Sequence, residues 1–429
     1  MISFTATGDS LILDHFPANY PAFDALKAHL SRGDVRITNM EAVLSDEPMF
    51  GNTFSGGGFI TAPSAVLDDL QALDFNFYSC ANNHSMDFGH PGLRHTMANM
   101  KKRGLLYAGI GESLTLASQP AYVQSPQGRI ALFSVAALYE HQDGSRADDS
   151  HDGMLPRPGV NVLRRNCYIR VTEEQFKTYQ EIAEMAGAYQ TSDGGYCIDN
   201  RHTILPAKEG EPIGRYTTPN EVDMKRILDQ IEASKHLAAM SVVCIHAHAN
   251  KLIESYINET DPDYYLEEFV HRAIDAGADA VVGSGCHRLR GIEIYKGKPI
   301  FYSLGNFIFS VYIARGRQPA DHVVGKDIPF MTPGATVFAN SVNYDATLNA
   351  NPVYYHSVLP YWEMENGKIT KLEMLPIELN MSDVPGLKGY PAPCDPSLVL
   401  EDLRKASAEY GTEFFVNDKG LIEVKLAQL

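Results

Sequence analysis

Apolar and polar positions in this chain alternate between a two-residue and a helical period, a pattern that predicts a layered α/β sandwich. Residues 2–7 are an apolar run that reads as a buried strand, and residues 20–31 then place Phe23, Leu26 and Leu30 at helical spacing. The cycle returns with a strand at 34–38, a helix near 64–73, a strand at 75–80 and a helix at 90–103. An apolar run at 129–136 finds a partner in 119–125 across the turn Pro126-Gln127-Gly128. A polar stretch with Pro and Gly at 140–160 follows, and residues 167–171, 172–187 and 203–205 then read as an inserted strand–helix–strand unit leaning over the cleft. The core resumes with a helix at 220–235, a strand at 240–246, a helix at 262–276 and a strand at 279–283. Pro262 suits the first turn of the helix it opens, and Asp261 before it is placed to cap. Lys296-Gly297-Lys298 and Glu365-Asn366-Gly367 each separate two apolar runs and predict hairpins. A helix at 396–409 with strands at 413–416 and 421–425 completes the pattern. The expected division is a core at 1–310 carrying a lid-like insertion at about 140–219, a β-rich extension at 311–390 and a small C-terminal α+β module at 391–429.

Composition narrows the function. With 429 residues and 44% hydrophobic content the chain buries a full core and folds alone. A formal charge of −17 argues against nucleic acid or anionic membrane as a partner, because sequence-independent binding to phosphates needs clustered Lys and Arg. Met1-Ile2-Ser3-Phe4 enters a strand at once without a basic n-region, and no stretch approaches the ~20 apolar residues of a membrane span, so a cytoplasmic location is expected. The six cysteines form no C-x-x-C pair and are expected as reduced thiols, Cys286 in a site loop included.

Five predicted strands run into loops that carry chemistry: Thr7-Gly8-Asp9, Ile37-Thr38-Asn39-Met40-Glu41, Cys80-Ala81-Asn82-Asn83-His84, the segment 242–248 with His246 and His248, and Gly283-Ser284-Gly285-Cys286-His287. Loops at strand ends are where layered α/β proteins place metal and acid/base groups. The remaining histidines, among them His29, His95, His202 and His271, read as surface residues. Arg288 and Arg290 beside His287, and Lys251 after the His246 loop, are the candidates for holding a carboxylate or phosphate of the substrate. Tyr139, Tyr216, Tyr302 and Phe307 are candidate lining for an organic substrate, with core packing as the alternative.

Gly8-Asp9, Asn39-x-Glu41, Ala81-Asn82-Asn83-His84-x-x-Asp87-x-Gly89, a strand ending at His246, and the run from Gly291 through Tyr302-Ser303-Leu304-Gly305-Asn306-Phe307 resemble the CapA family. That family is named for poly-γ-glutamate capsule synthesis and shares the calcineurin-like metallophosphoesterase fold. The resemblance spans 1–136 and 240–310 in the expected order. It implies a divalent metal centre (Mn, Zn, Fe or Mg) with Asp9 and His287 at a first ion, Glu41 bridging, and Asn83 and His246 at a second. His84 then corresponds to the general acid and Asp87 to the group that orients it. Three departures are visible. Gly285 stands where relatives carry a histidine, Leu11 stands at a ligand position of the wider fold, and His248 is an extra imidazole able to substitute. These departures predict fewer bound ions than the usual pair, or none.

Three functions fit these residues. The first is a CapA-like hydrolase of a phosphoester or amide, with a peptide or an anionic small molecule or polymer as substrate. The second is a metal- and cofactor-independent peptide epimerase in which Asp9 and His287 form a two-base pair at a Cα–H. The third is a non-catalytic peptide- or polymer-binding protein. Sequence leaves the oligomeric state open.

Overall fold

The computed structural model describes residues 1–55, 58–138, 140–197, 201–251, 260–310, 351–380 and 387–426. Two large sheets lie face to face. The first has ten strands; Ile2–Leu11, Val35–Met40, Phe77–Ser79 and Tyr107–Ala108 run parallel at one end, and the antiparallel pair His356–Glu365 and Lys368–Leu379 borders Ile2–Leu11 on the other side. The second has six strands, with Gly128–Ala137, Met240–Ala247, Ala280–Gly285 and Lys298–Phe301 parallel at its centre. Strands 2–11 and 240–247 are buried on both faces, as strands sandwiched between layers are.

Three apolar clusters define the layers. Phe4, Ile37 and Phe77 from the first sheet meet Ile130, Val242, Val282 and Phe301 from the second, around the chain's single tryptophan, Trp362, stacked on Phe4 with centroids 5.0 Å apart. Helices Phe23–Leu30, Val66–Ala72 and Gly89–Lys102 cover the outer face of the first sheet through Leu26, Leu30, Leu67, Leu70 and Leu93. Glu221–Ser234 and Tyr264–Ala276 cover the second through Met224, Ile231, Phe269 and Val270. The result is a helix–sheet–sheet–helix sandwich.

Most sequence expectations match these elements within a few residues, and three details differ. The helix expected from 262 starts at Tyr264, and its cap is Asp263, whose carboxylate accepts from the Tyr264 N–H at 2.8 Å; Pro262 instead bridges Asn250. His29 is buried, not on the surface. It lies on the inner stripe of the first helix, 6% exposed, with Nε2 2.9 Å from the Leu359 carbonyl. His95 and His271 are half-buried and engaged with Ser45 and Glu293.

The insertion forms its own five-stranded sheet, with helix Glu173–Met185 packed against it through Phe176 and Ala183. Its last strand, Gly214–Pro219, is tied to the core where Arg215 and Thr217 bond Asp263. At the C-terminus, Phe414–Val416 and Ile422–Val424 continue the ten-stranded sheet beyond Lys368–Leu379, and helix Ser397–Ser407 packs Val399 and Leu403 into the core between the sheets. Most of the expected extension at 311–390 lies outside the described residues.

Candidate metal centre

The parallel strands of both sheets point their carboxyl ends the same way, the end at which layered α/β proteins bind ligands. Asp9, Asn39 and Glu41 leave the first sheet there, and His246 and His287 leave the second. Close approach at the first of these ends is set by a glycine. A Cβ on Gly8 would lie 1.8 Å from the Gly305 carbonyl, and that contact lets the Asp9 N–H reach Gly305 O at 2.9 Å. Strand 306–309 can therefore lie beside strand 2–11, with Asp9 opposite Asn306.

The structure brings Asp9, Glu41, Asn83, His84, His246, His248 and His287 into one buried cluster. Ligand atoms of Asp9, Glu41 and His246 all lie within 4.8 Å of one another, and so do those of Glu41, His248 and His287. Glu41 belongs to both sets. His246 Nδ1 is 3.6 Å from Asp9 and its Nε2 is 3.7 Å from Glu41 Oε1, while Asn83 Oδ1 is 2.7 Å from the same Nε2. His287 Nδ1 sits 3.4 Å from Asp9 Oδ2. The His248 ring lies between the two other imidazoles, with centroids 5.2 Å from His246 and 5.4 Å from His287. His84 Nδ1 is 2.7 Å from Asp87 Oδ2, which turns Nε2 toward Glu41 Oε1 at 4.0 Å. Asp87 is also the acceptor for the Ile60 N–H, so the carboxylate that orients His84 is itself fixed.

Two amides that sequence reasoning left without a role hold this arrangement. Asn39 Nδ2 donates to Asp9 Oδ1 at 2.8 Å and lies 3.2 Å from His246 Nδ1. Asn306 Oδ1 is 3.0 Å from His287 Nδ1, and its Nδ2 donates to the His287 carbonyl at 3.1 Å. An Nδ1–H donating to Asn306 leaves the His287 Nε2 lone pair as a ligand. His287 holds this pose at φ +59°, a left-handed conformation that non-glycine residues seldom adopt outside constrained sites. Both asparagines stand inside the family-like motifs, Asn39-x-Glu41 and Gly305-Asn306-Phe307, so their spacing was the signal.

Gly285 has no room for a side chain. It sits at φ +110°, a Cβ would come within 2.8 Å of the Ala247 backbone nitrogen, and its N–H donates to Asp9 Oδ2 at 3.0 Å. The backbone thus serves Asp9 at the position where the family resemblance implied an imidazole.

Electrostatics favour a cation at the centre. Burial and the negative charge of Asp9 push the Glu41 carboxyl well above its usual range. Burial also opposes ionisation of Asp9, yet its contacts with His246 and His287 outweigh that and hold it well below the usual value. Burial drives His246 down, against the opposing pull of Asp9, and His248 well down, which favours the neutral imidazole, the form that ligates. Glu41 Oε1 is fully buried with no hydrogen-bond partner among the described residues. A buried carboxylate oxygen left in that state is costly, and a divalent ion among two carboxylates, an amide oxygen and three imidazoles removes the cost. The donor set therefore fits the metals that the sequence implied.

The proposed substrate-facing residues fare differently. Arg288 is half-buried beside His287. Arg290 is 0% exposed and donates to the backbone carbonyls of His248 and Ala249, so it faces the core instead of a substrate. The Lys251 ammonium is engaged with Glu267 at 2.9 Å and Glu409 at 3.8 Å. Tyr302 and Phe307 are packed in the core, Tyr216 packs on Tyr264, and Tyr139 lies outside the described residues. Cys286 is buried with Sγ directed at the Arg288 carbonyl, and the six cysteines are free thiols.

The model of the bacterial capsule synthesis protein PGA_cap family matches residues 3–311. This chain belongs to that family. PGA_cap proteins are part of the metallophosphoesterase-like superfamily, whose members usually bind divalent metals. An uncharacterized protein of Sinorhizobium fredii is 32% identical over 98% of this chain and 93% of its own length. The PGA biosynthesis protein CapA of Bacillus subtilis is 26% identical over 58% of this chain and 47% of its own. A probable polyglutamine synthesis accessory protein of Mycobacterium tuberculosis is 27% identical over 56% of this chain and 46% of its own. Among the described residues of this PGA_cap chain no helix is long and apolar enough to cross a membrane.

Proposed function

We propose that this chain is a divalent-metal-dependent hydrolase of a phosphoester or amide, acting on an anionic small molecule, peptide or polymer. The observation that carries the reading is Glu41, a buried carboxylate shared by two donor sets with one oxygen that no protein donor reaches among the described residues. Asp9, Asn83 and His246 would hold an ion on one side of it, and His248 and His287 on the other. When bound, such ions supply a water of lowered pKa and neutralise negative charge developing on the substrate.

The remaining steps belong to the protein. Asp87 fixes the His84 ring through Nδ1, so Nε2 faces the cluster and delivers a proton to the leaving group. Asn39 and the Gly285 N–H fix the two oxygens of Asp9. Arg288, half-buried and adjacent to His287 in the chain, is the candidate for holding the charge of an anionic substrate. The names of the Bacillus and Mycobacterium relatives support a polymer-related substrate for this chain.

The epimerase alternative meets a geometric obstacle. Its two bases must flank a Cα from opposite faces, whereas His287 Nδ1 pairs with Asp9 Oδ2 at 3.4 Å, a contact that would have to open to admit a carbon between the two side chains. A mass-spectrometric assay in D₂O separates the two reactions. Panels of phosphoesters and γ-glutamyl peptides are incubated with Mn²⁺ or with chelator. Metal-dependent fragments without deuterium at Cα support the hydrolase; one deuterium gained without cleavage, in chelator, supports the epimerase and rules the hydrolase out.

A further inference from the structure

We propose that Arg290 is a positioning residue for the imidazole of His248, and that Arg215 extends the same grip into the inserted sheet. This rests on the reading of His248 as a metal-directed group.

The strand that carries His246 stops one residue short of His248. Its parallel ladders end with Ala247 opposite Gly285 on one side and Ala137 on the other, so the sheet no longer sets where residues 248 and 249 point, and only an isolated bridge to Pro262 reaches Asn250. Arginines take over at that point. One guanidinium nitrogen of Arg290 donates to His248 O at 2.9 Å and to Ala249 O at 3.1 Å, and Arg215 Nη1 donates to Asn250 O at 3.2 Å. Three consecutive carbonyls are thereby held by two side chains. Arg215 is anchored in turn by Asp263, at 2.9 Å from its Nη2.

The placement of Arg290 gives this grip a consequence for the site. Arg290 is among the largest fully buried side chains, and a buried guanidinium is expensive unless its directional donors are used. It lies three residues after His287 in the same loop, so the loop that carries one imidazole grips the backbone that carries the other. The two rings meet at 5.4 Å and 73°. Because the direction of a side chain follows its backbone dihedrals, a rotated 248–249 peptide would swing His248 away from Glu41 and His287. Lys at 290 keeps the charge, but its ammonium sits one bond nearer the backbone than Arg290 Nη2, the single nitrogen that holds both carbonyls.

The test uses the full chain with Co²⁺ as the probe, reading affinity by calorimetry and ligand field by the visible spectrum. Arg290→Lys and His248→Gln are each expected to weaken Co²⁺ binding about tenfold or more with the same spectral change, and the double variant to be no weaker than His248→Gln alone. Methylguanidinium added to Arg290→Ala should restore the wild-type spectrum. A folded Arg290→Lys with unchanged affinity and spectrum, or additive losses in the double variant, overturns the proposal. If the Arg290 variants do not fold, Arg215→Lys decides: a weaker affinity with the His248-type spectral change supports the clamp, and no change overturns it. His248→Gln binding Co²⁺ like wild type while Glu41→Gln does not would sink this inference and leave the metal reading standing. Glu41→Gln binding like wild type would sink the metal reading itself.

Discussion

His29 gives the fold a pH dependence that can be worked out in advance. Burial holds its pKa at about 4, down from 6.5, with the Arg32 charge adding to the effect and the Leu359 carbonyl and Glu373 opposing it. The folded-state pKa is depressed, so the stability at issue is fully present above the unfolded value of 6.5 and is lost as pH falls toward 4. A gap of 2.5 units corresponds to about 3 kcal/mol below pH 4, and to about 2 kcal/mol at pH 5. His29→Gln keeps a donor for Leu359 O and removes the titration. Urea unfolding of both proteins at pH 7.5 and pH 5 isolates the histidine, because the carboxylates titrate alike in each. Relative to the variant, the wild type should lose about 2 kcal/mol on going to pH 5. A difference between the two proteins that stays constant across this range would refute the reasoning.

Other consequences concern the site. His84→Ala should lower turnover by ~10²–10⁴ with bound metal unchanged, since general acid work of that size needs no metal contact; metal lost along with activity would make His84 a ligand. Gly8→Ala drives a Cβ into the Gly305 carbonyl and parts strand 306–309 from Asp9, with an expected loss of about 2–4 kcal/mol in urea unfolding. A loss under ~0.5 kcal/mol, the range of an ordinary surface change, would contradict that packing.

Much of this was legible in the sequence because the signals were local. Strand and helix periods follow from residues a few positions apart, and Asp9, Glu41, Asn83, His246 and His287 each follow an apolar run. Both hairpin turns could be read from single dipeptides, and Lys296-Gly297 and Asn366-Gly367 adopt positive φ. What escaped depends on three dimensions. His29 looked like a surface residue because one helical stripe does not reveal that Leu359, 330 positions away, covers it. Arg290 looked like substrate-facing charge because sequence adjacency to His287 cannot show that its side chain turns inward. The absence of a side chain at Gly285 was visible, but the use of its N–H by Asp9 was not. Asn39 and Asn306 stood in plain view as motif residues, yet their roles follow from contacts across the two sheets.

The central claim is that Glu41 joins two donor sets into one metal centre. Elemental analysis and Mn²⁺ calorimetry of the wild type and Glu41→Gln, both purified without chelator, test it most directly. The wild type is expected to retain divalent metal through gel filtration, and Glu41→Gln, correctly folded, to lose it from both sets together with at least about tenfold in affinity. A wild type that binds no Mn²⁺, or a Glu41→Gln protein that binds it as tightly as the wild type, would contradict the claim.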